Sequence, residues 1–326
     1  MALLKKLRNL RTDNTTGFGT NSNSTGGRFI NKDGRANVIK RGVGILNRYS
    51  WYHTMLGMRR GKFLLLLFLV YITINLFFAG IYYLIGINHL AGVNTGSPWK
   101  NFTEVFFFSA QTFTTVGYGR ISPIGFMASA VSTFEAFLGL LSFAIATGLF
   151  YGRFSRPRAF LKFSKNALIA PYQGGTALMF SLVPYKNNNL SEVEVKLTMA
   201  ITSEENGRLT DKFFDLPMEI SKINVLTLSW TIVHPIIETS PLYGFTKEDI
   251  TSTDIEIMVF VKGFDEVFSN NVVTRTSYVS DEIVWGAKFR MMYHPNDDKS
   301  KTVLDIDKLN VFDHVPLPEP AIAATS

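Results

Sequence analysis

Two long apolar stretches dominate the pattern of the chain. Phe63 to Gly86 carries no charged residue, and Phe126 to Gly152 carries only Glu135. Each is long enough to cross the roughly 30 Å hydrocarbon layer of a bilayer as a helix, the conformation that satisfies its own backbone hydrogen bonds without water. Between them, Val105 to Phe113 is apolar but far too short to span, which predicts a re-entrant helix. Asn101 is its expected N-cap, with Glu104 three residues on. Ahead of the first span, Ile45, Tyr49, Tyr52 and Leu56 recur at helical spacing beside Trp51, and Arg59, Arg60 and Lys62 follow. That pattern predicts an amphipathic helix on the membrane surface; the alternative is a short linker with incidental aromatics.

From about Ala167 the period falls to two. Val193, Val195, Leu197, Met199 and Ile201 alternate with Glu194, Lys196 and Thr198, and Ile255, Ile257, Val259 and Val261 repeat the theme. Short alternating strands separated by turn residues predict a β-sandwich. The expected organisation is an N-terminal tail over residues 1–40, the surface helix over 41–60, a first span over 62–87 and the re-entrant helix with its following loop over 98–122. A second span covers 123–155, the β-domain 165–312 and a Pro-bearing tail 313–326. The polar, Gly-rich run over 13–27 is not expected to fold alone.

Charge orients this arrangement. Residues 1–62 hold thirteen Lys or Arg against Asp13 and Asp33, whereas the stretch 87–101 contains only Lys100. By the positive-inside rule the N-terminus is cytoplasmic, and Arg153, Arg156, Arg158, Lys162 and Lys165 after the second span place the C-terminal half there too. The formal net charge of +7 is therefore mainly a topology signal. Nucleic-acid binding is disfavoured, because the basic residues flank the spans and no binding motif accompanies them. The first span is too long and too far from the start to read as a cleaved signal peptide. Cysteine is absent, which excludes disulfides and Cys-based metal sites. The five histidines, His53, His89, His234, His294 and His314, have no metal-ligand spacing. No nucleophile elbow or phosphate loop appears, so enzymatic function is not expected.

The candidate chemistry lies in Thr114-Thr115-Val116-Gly117-Tyr118-Gly119, between the re-entrant helix and the second span. TVGYG is the established potassium-filter sequence, in which rings of backbone carbonyls replace the hydration shell of the ion. Carbonyls of Thr115, Val116, Gly117 and Tyr118, with the Thr115 hydroxyl, are expected to hold K⁺ as the permeant ion, with no cofactor. Gly117 and Gly119 permit the backbone conformations that turn consecutive carbonyls one way. One chain supplies a quarter of each ring, so the reading requires a homotetramer.

On the second span, Gly139, Phe143, Thr147 and Tyr151 fall at steps of four and share one face. They are the expected pore lining, with Gly139 as a bending point and Phe143 or Tyr151 as a dewetting gate; packing between helices is the alternative for the aromatics. Gln111, Glu135 and Arg120 are expected to support the filter. For Glu135, a structural hydrogen bond and direct ion binding both stay open. Arg-rich spanning helices of a voltage sensor are absent, as is the G-x-G-x-x-G of a nucleotide-binding regulatory domain. A nonconducting, membrane-anchored β-domain that binds a lipid or protein partner is the alternative outside transport.

Further segments carry a resemblance. Phe106-Phe107-Phe108-Ser109, Tyr151-Gly152-Arg153-Phe154-Ser155-Arg156-Pro157, Leu228-Ser229-Trp230, His234-Pro235, Ser240-Pro241-Leu242-Tyr243-Gly244 and Asp281-Glu282-Ile283-Val284-Trp285-Gly286 together resemble prokaryotic inward-rectifier potassium channels. The resemblance implies a homotetramer in the bacterial inner membrane with an immunoglobulin-like cytoplasmic domain extending the ion path. It also implies regulation by anionic phospholipid headgroups, with Arg60, Lys62, Arg153, Arg156 and Arg158 at the matching basic positions; plain positive-inside anchoring is their alternative role. Glu192 matches an acid of the cytoplasmic pore. Phe143 stands where strong rectifiers carry an acid, so weak rectification is expected.

Overall fold

The computed structural model describes residues 12–13, 15–18, 27–42, 44, 50–186, 189–205 and 208–318. The chain forms two compact units, one of residues 41–156 and one that joins residues 1–40 to 157–326.

In the first unit, α1 (Trp51–Gly57) is a short helix capped by Ser50, whose hydroxyl accepts from the His53 N–H at 3.4 Å. Residues 45–49, which carry the first half of the expected surface helix, lie outside the described residues. Leu56 is buried, while Trp51 and Tyr52 are exposed. Two long helices follow the apolar stretches: α2 (Arg60–Ile85) and, later, α4 (Gly125–Phe154). At 1.5 Å per residue, the 26 residues of α2 rise about 39 Å, enough to cross a bilayer with tilt. Gly86, at φ 107°, ends α2, and its N–H returns to the Tyr82 carbonyl. Leu64, Leu65, Phe68 and Leu69 of α2 and Phe134, Phe137 and Leu140 of α4 are exposed, a surface suited to lipid or neighbouring subunits rather than water.

The re-entrant helix α3 (Pro98–Phe113) has a different cap from the one the sequence suggests. Ser97 is its N-cap, accepting from Lys100 N–H, and Pro98 occupies the first turn, where its missing N–H costs nothing. Asn101 is therefore inside the helix, and its Oδ1 accepts from the Gly96 N–H at 2.8 Å. The chain leaving α2 and the chain leaving the filter pair as a ribbon of β1 (Leu90–Ala91) and β2 (Ser122–Pro123).

The second unit is the expected sandwich. Its strands are β3 (Leu161–Phe163), β4 (Ala167–Tyr172), β5 (Gly175–Pro184), β6 (Leu190–Glu205), β7 (Arg208–Asp215), β8 (Lys222–Leu226) and β9 (Trp230–Pro235). The short helix α5 (Lys247–Ser252) leads to β10 (Ile255–Asp265), β11 (Asn270–Val279), β12 (Ile283–Trp285) and four three-residue strands. The latter are β13 (Ala287–Phe289), β14 (Tyr293–Pro295), β15 (Thr302–Leu304) and β16 (Phe312–His314). One sheet runs β11-β10-β6-β7 with β8 also on β6; the other runs β12-β4-β5-β3 with β9 also on β5. The two alternating runs are antiparallel partners, pairing Met199 with Ile257, Leu197 with Val259 and Val195 with Val261. Period two sends these side chains to one face, where they are buried with Ile169, Leu178, Phe180 and Leu182 of the other sheet. Two resemblance segments meet in this unit. Buried His234 contacts the Pro217 carbonyl through Nδ1 at 2.5 Å and the Ser240 hydroxyl through Nε2 at 2.7 Å.

Described residues of both expected tails make contacts within this unit. Parts of the N-terminal 40 residues pack on the first sheet, where Phe18, Phe29 and Ile30 cover Ala200, Phe213 and Met258. Glu256 accepts the N–H groups of Phe29 and Ile30, and Arg28 pairs with Glu282. Burial opposes the charge of Asp13, but an ion pair with Lys196 and hydrogen bonds from Thr15 and Thr198 hold its carboxyl down at about 2. At the other end, His314 still pairs with Ala287, and Val315 N–H reaches the Gly286 carbonyl at 2.8 Å. Neither docking surface is apolar or periodic enough in sequence to announce itself.

Candidate ion pathway

The loop after α3 is shaped by backbone sign. Thr115, Gly117 and Gly119 have φ of 58°, 55° and 79°, whereas Val116 and Tyr118 between them have no positive φ. Such alternation turns successive carbonyls toward one side, the geometry that a stack of oxygen rings needs. Thr115 adopts a conformation that L-residues with a Cβ disfavour, so backbone strain is held in this loop. A Cβ at Gly117 or Gly119 meets nothing within 4 Å, so glycine is required there by conformation rather than by crowding. The loop hangs from the end of α3: the Gln111 carbonyl accepts from Val116 N–H at 2.9 Å and Gly117 N–H at 3.4 Å. Gln111 thus supports the loop through its main chain.

Behind α3 lies a polar cluster sealed from solvent. Glu135 is fully buried, its Oε2 accepting from the Tyr82 hydroxyl at 2.7 Å and its Oε1 from the Ser109 hydroxyl at 2.5 Å. Ser109 also lies 3.2 Å from Asn75 Oδ1, and Asn75 Nδ2 donates to the Tyr71 carbonyl. One carboxylate therefore joins α2, α3 and α4. Both oxygens of Glu135 are thereby hydrogen-bonded. Sequence reading found Glu135 by its charge but missed Tyr82, Asn75 and Ser109, although a lone Asn in an apolar span is itself a signal. Arg120 directs its guanidinium to Glu104, 2.6 Å away.

A family model for the C-terminal domain of inward rectifier potassium channels matches residues 161–326, and one for ion channels matches residues 69–156. The inward rectifier potassium channel Kirbac3.1 of Paramagnetospirillum magnetotacticum is 35% identical over 289 residues, covering 87% of this chain and 95% of its own. This chain belongs to the inward rectifier potassium channel family. ATP-sensitive inward rectifier potassium channel 12 of Gallus gallus is 27% identical over 80% of this chain and 66% of its own. Inward rectifier potassium channel 18 of Homo sapiens is 25% identical over 89% of this chain and 71% of its own. The protein is accordingly a membrane ion channel of a non-enzyme family.

Within this inward rectifier the remaining expected residues divide. Phe143 and Tyr151 are each 73% exposed, and Thr147 is exposed between them. Gly139 begins the same stripe but is buried: a Cβ there would run into the Phe113 carbonyl. Its glycine permits α4 to touch the end of α3. Arg153 is half-buried. Its guanidinium donates to the carbonyls of Met55 at 2.5 Å and Met58 at 2.6 Å and lies 4.5 Å from the Phe63 ring centre, so it caps α1 rather than reaching outward. Arg60, Lys62, Arg156 and Arg158 are exposed. Glu192 is exposed at a β-bulge, with φ 49°, and its carboxylate is paired with Lys222.

Proposed function

We propose that four copies of this channel surround one K⁺-selective pore, in which carbonyls of Thr115, Val116, Gly117 and Tyr118 and the Thr115 hydroxyl bind the dehydrated ion. The alternating φ at residues 115–119 carries this reading. The Glu135 cluster holds α3 at a fixed height behind the filter. Phe143, Thr147 and Tyr151 line the inner pore, and the two aromatics close it by dewetting. Rectification is weak, because Phe143 offers no carboxylate to a blocking cation and Lys222 offsets Glu192. Arg60, Lys62, Arg156 and Arg158 receive anionic lipid headgroups at the cytoplasmic leaflet, with both termini cytoplasmic in a bacterial inner membrane.

The test is cation flux through purified protein in liposomes with and without anionic lipid. K⁺ flux that greatly exceeds Na⁺ flux and changes with lipid charge is expected. No flux in any lipid composition would favour the nonconducting anchor instead.

A further inference from the structure

The outer approach to the filter carries a cation in an unfavourable place. Arg120 follows Gly119 directly, so in a four-fold assembly four guanidinium groups start from the rim of the filter. Between residues 87 and 124 the sequence contains Lys100 and Arg120 as strong bases and Glu104 as the sole acid. A ring of cations at the mouth would lower the local concentration of K⁺.

The backbone gives Arg120 no freedom to retreat. On one side, Gly92 has φ 80°, and a Cβ there would strike the Arg120 carbonyl. The β1–β2 ribbon pairs Ala91 with Ser122 and Leu90 with Pro123, and Ile124 N–H donates to the His89 carbonyl at 2.7 Å. Ile121 is buried with Leu90, Val105 and Phe108. What remains adjustable is the side chain, and it folds back onto α3. Nη2 meets Glu104 Oε2 at 2.6 Å, and Nη1 lies 3.5 Å from the Gly92 carbonyl. Glu104 is the more enclosed partner, its side chain 17% exposed against 47% for Arg120.

We propose that Glu104 is a positioning residue for the outer mouth, drawing the Arg120 guanidinium onto the pore helix and cancelling its charge where K⁺ arrives. Glu104 is thereby a determinant of conductance although it touches no ion. The inference rests on residues 115–119 being the filter. It assigns to Glu104 a role that its place near the start of α3 conceals, since the same spacing reads in sequence as a capping residue.

The experiment compares single-channel conductance with K⁺ on the outer side for wild type, Glu104→Gln, Arg120→Gln and the double variant, at low and high salt. Glu104→Gln should lower conductance at least about threefold near 0.01 M ionic strength, where fields reach roughly 30 Å. The loss should nearly vanish near 1 M, where the screening length is about 3 Å. The double variant should recover wild-type conductance. Arg120→Gln, which leaves Glu104 uncompensated, should match or exceed wild type at low salt. An unchanged Glu104→Gln, a loss that persists at high salt, or a double variant that is not rescued would overturn the proposal. If Glu104→Gln yields no channels, Arg120→Gln decides alone, and a fall in its low-salt conductance overturns the idea. A wild type that passes Na⁺ as readily as K⁺ refutes the filter reading, whereas a K⁺-selective wild type whose conductance ignores Glu104 refutes only this inference.

Discussion

In the β unit the large buried side chains include Phe180, Leu168, Leu182 and Leu197, and both sheets turn their apolar faces inward. In the membrane unit the side chains buried together include Glu135, Asn75, Ser109 and the Tyr82 hydroxyl, while Leu64, Phe68, Phe134 and Leu140 face outward. The difference follows from the two solvents. Water drives apolar area inward, at about 25 cal/mol per Å². Lipid offers no such drive, so helices associate through close packing and hydrogen bonds between polar side chains. In the β unit, buried residues therefore report the fold. In the membrane unit, buried polar residues report the place where three helices are fixed against one another.

The sharpest break of this comparison is Glu135→Leu, a substitution that would be benign in a sandwich core. Here it strands the Tyr82 hydroxyl without its acceptor, at about 1–3 kcal/mol, and leaves the Ser109 hydroxyl only its longer contacts to Asn75. Size-exclusion chromatography in mild detergent should find assembled channels largely lost, with Glu135→Gln retaining most of them. Leu197→Ala attacks the opposite kind of core and should cost about 2–5 kcal/mol. Thermal melting should register that loss in the β unit, while K⁺ over Na⁺ selectivity of surviving channels is unchanged.

Gly139→Ala tests the close approach of α4 to the Phe113 carbonyl. Overpacking there should cost about 1–3 kcal/mol and reduce K⁺ flux in liposomes, whereas a hinge role would predict altered gating with flux capacity intact. The smallest effect is a pH slope. Burial holds His234 below its ordinary value, outweighing the contact with the Pro217 carbonyl. The unfolded chain binds the proton more readily, so the stability from this group is complete above about pH 6.5 and declines as pH falls below it. Melting temperatures of the β unit should drop from pH 7.5 to pH 5.5, by less in His234→Phe.

Much of this was legible in sequence, for reasons that differ between units. The spans and the alternating runs of β6 and β10 are periodic, and periodicity survives without a structure. The proposed filter stands out in sequence because Gly117 and Gly119 take positive φ, which glycine adopts without strain. Ser97 displaced Asn101 as the cap of α3 because a following proline outweighs a distant Glu, a competition between two valid signals. The carbonyl partners of Arg153 were not legible, because charge near a membrane exit does not reveal which backbone groups it meets. The N-terminal docking on Glu256 was illegible, since backbone N–H groups from residues 29 and 30 leave no mark in the sequence around Glu256.

The central claim is that residues 115–119 form a potassium filter, and reversal potentials in planar bilayers test it most directly. With K⁺ on one side and Na⁺ at equal concentration on the other, the wild-type channel should reverse far from zero, at the voltage sign that opposes K⁺ leaving its side, and Gly117→Ala should bring the reversal potential toward zero. A wild-type reversal potential near zero, with both cations equally permeant, would contradict the account.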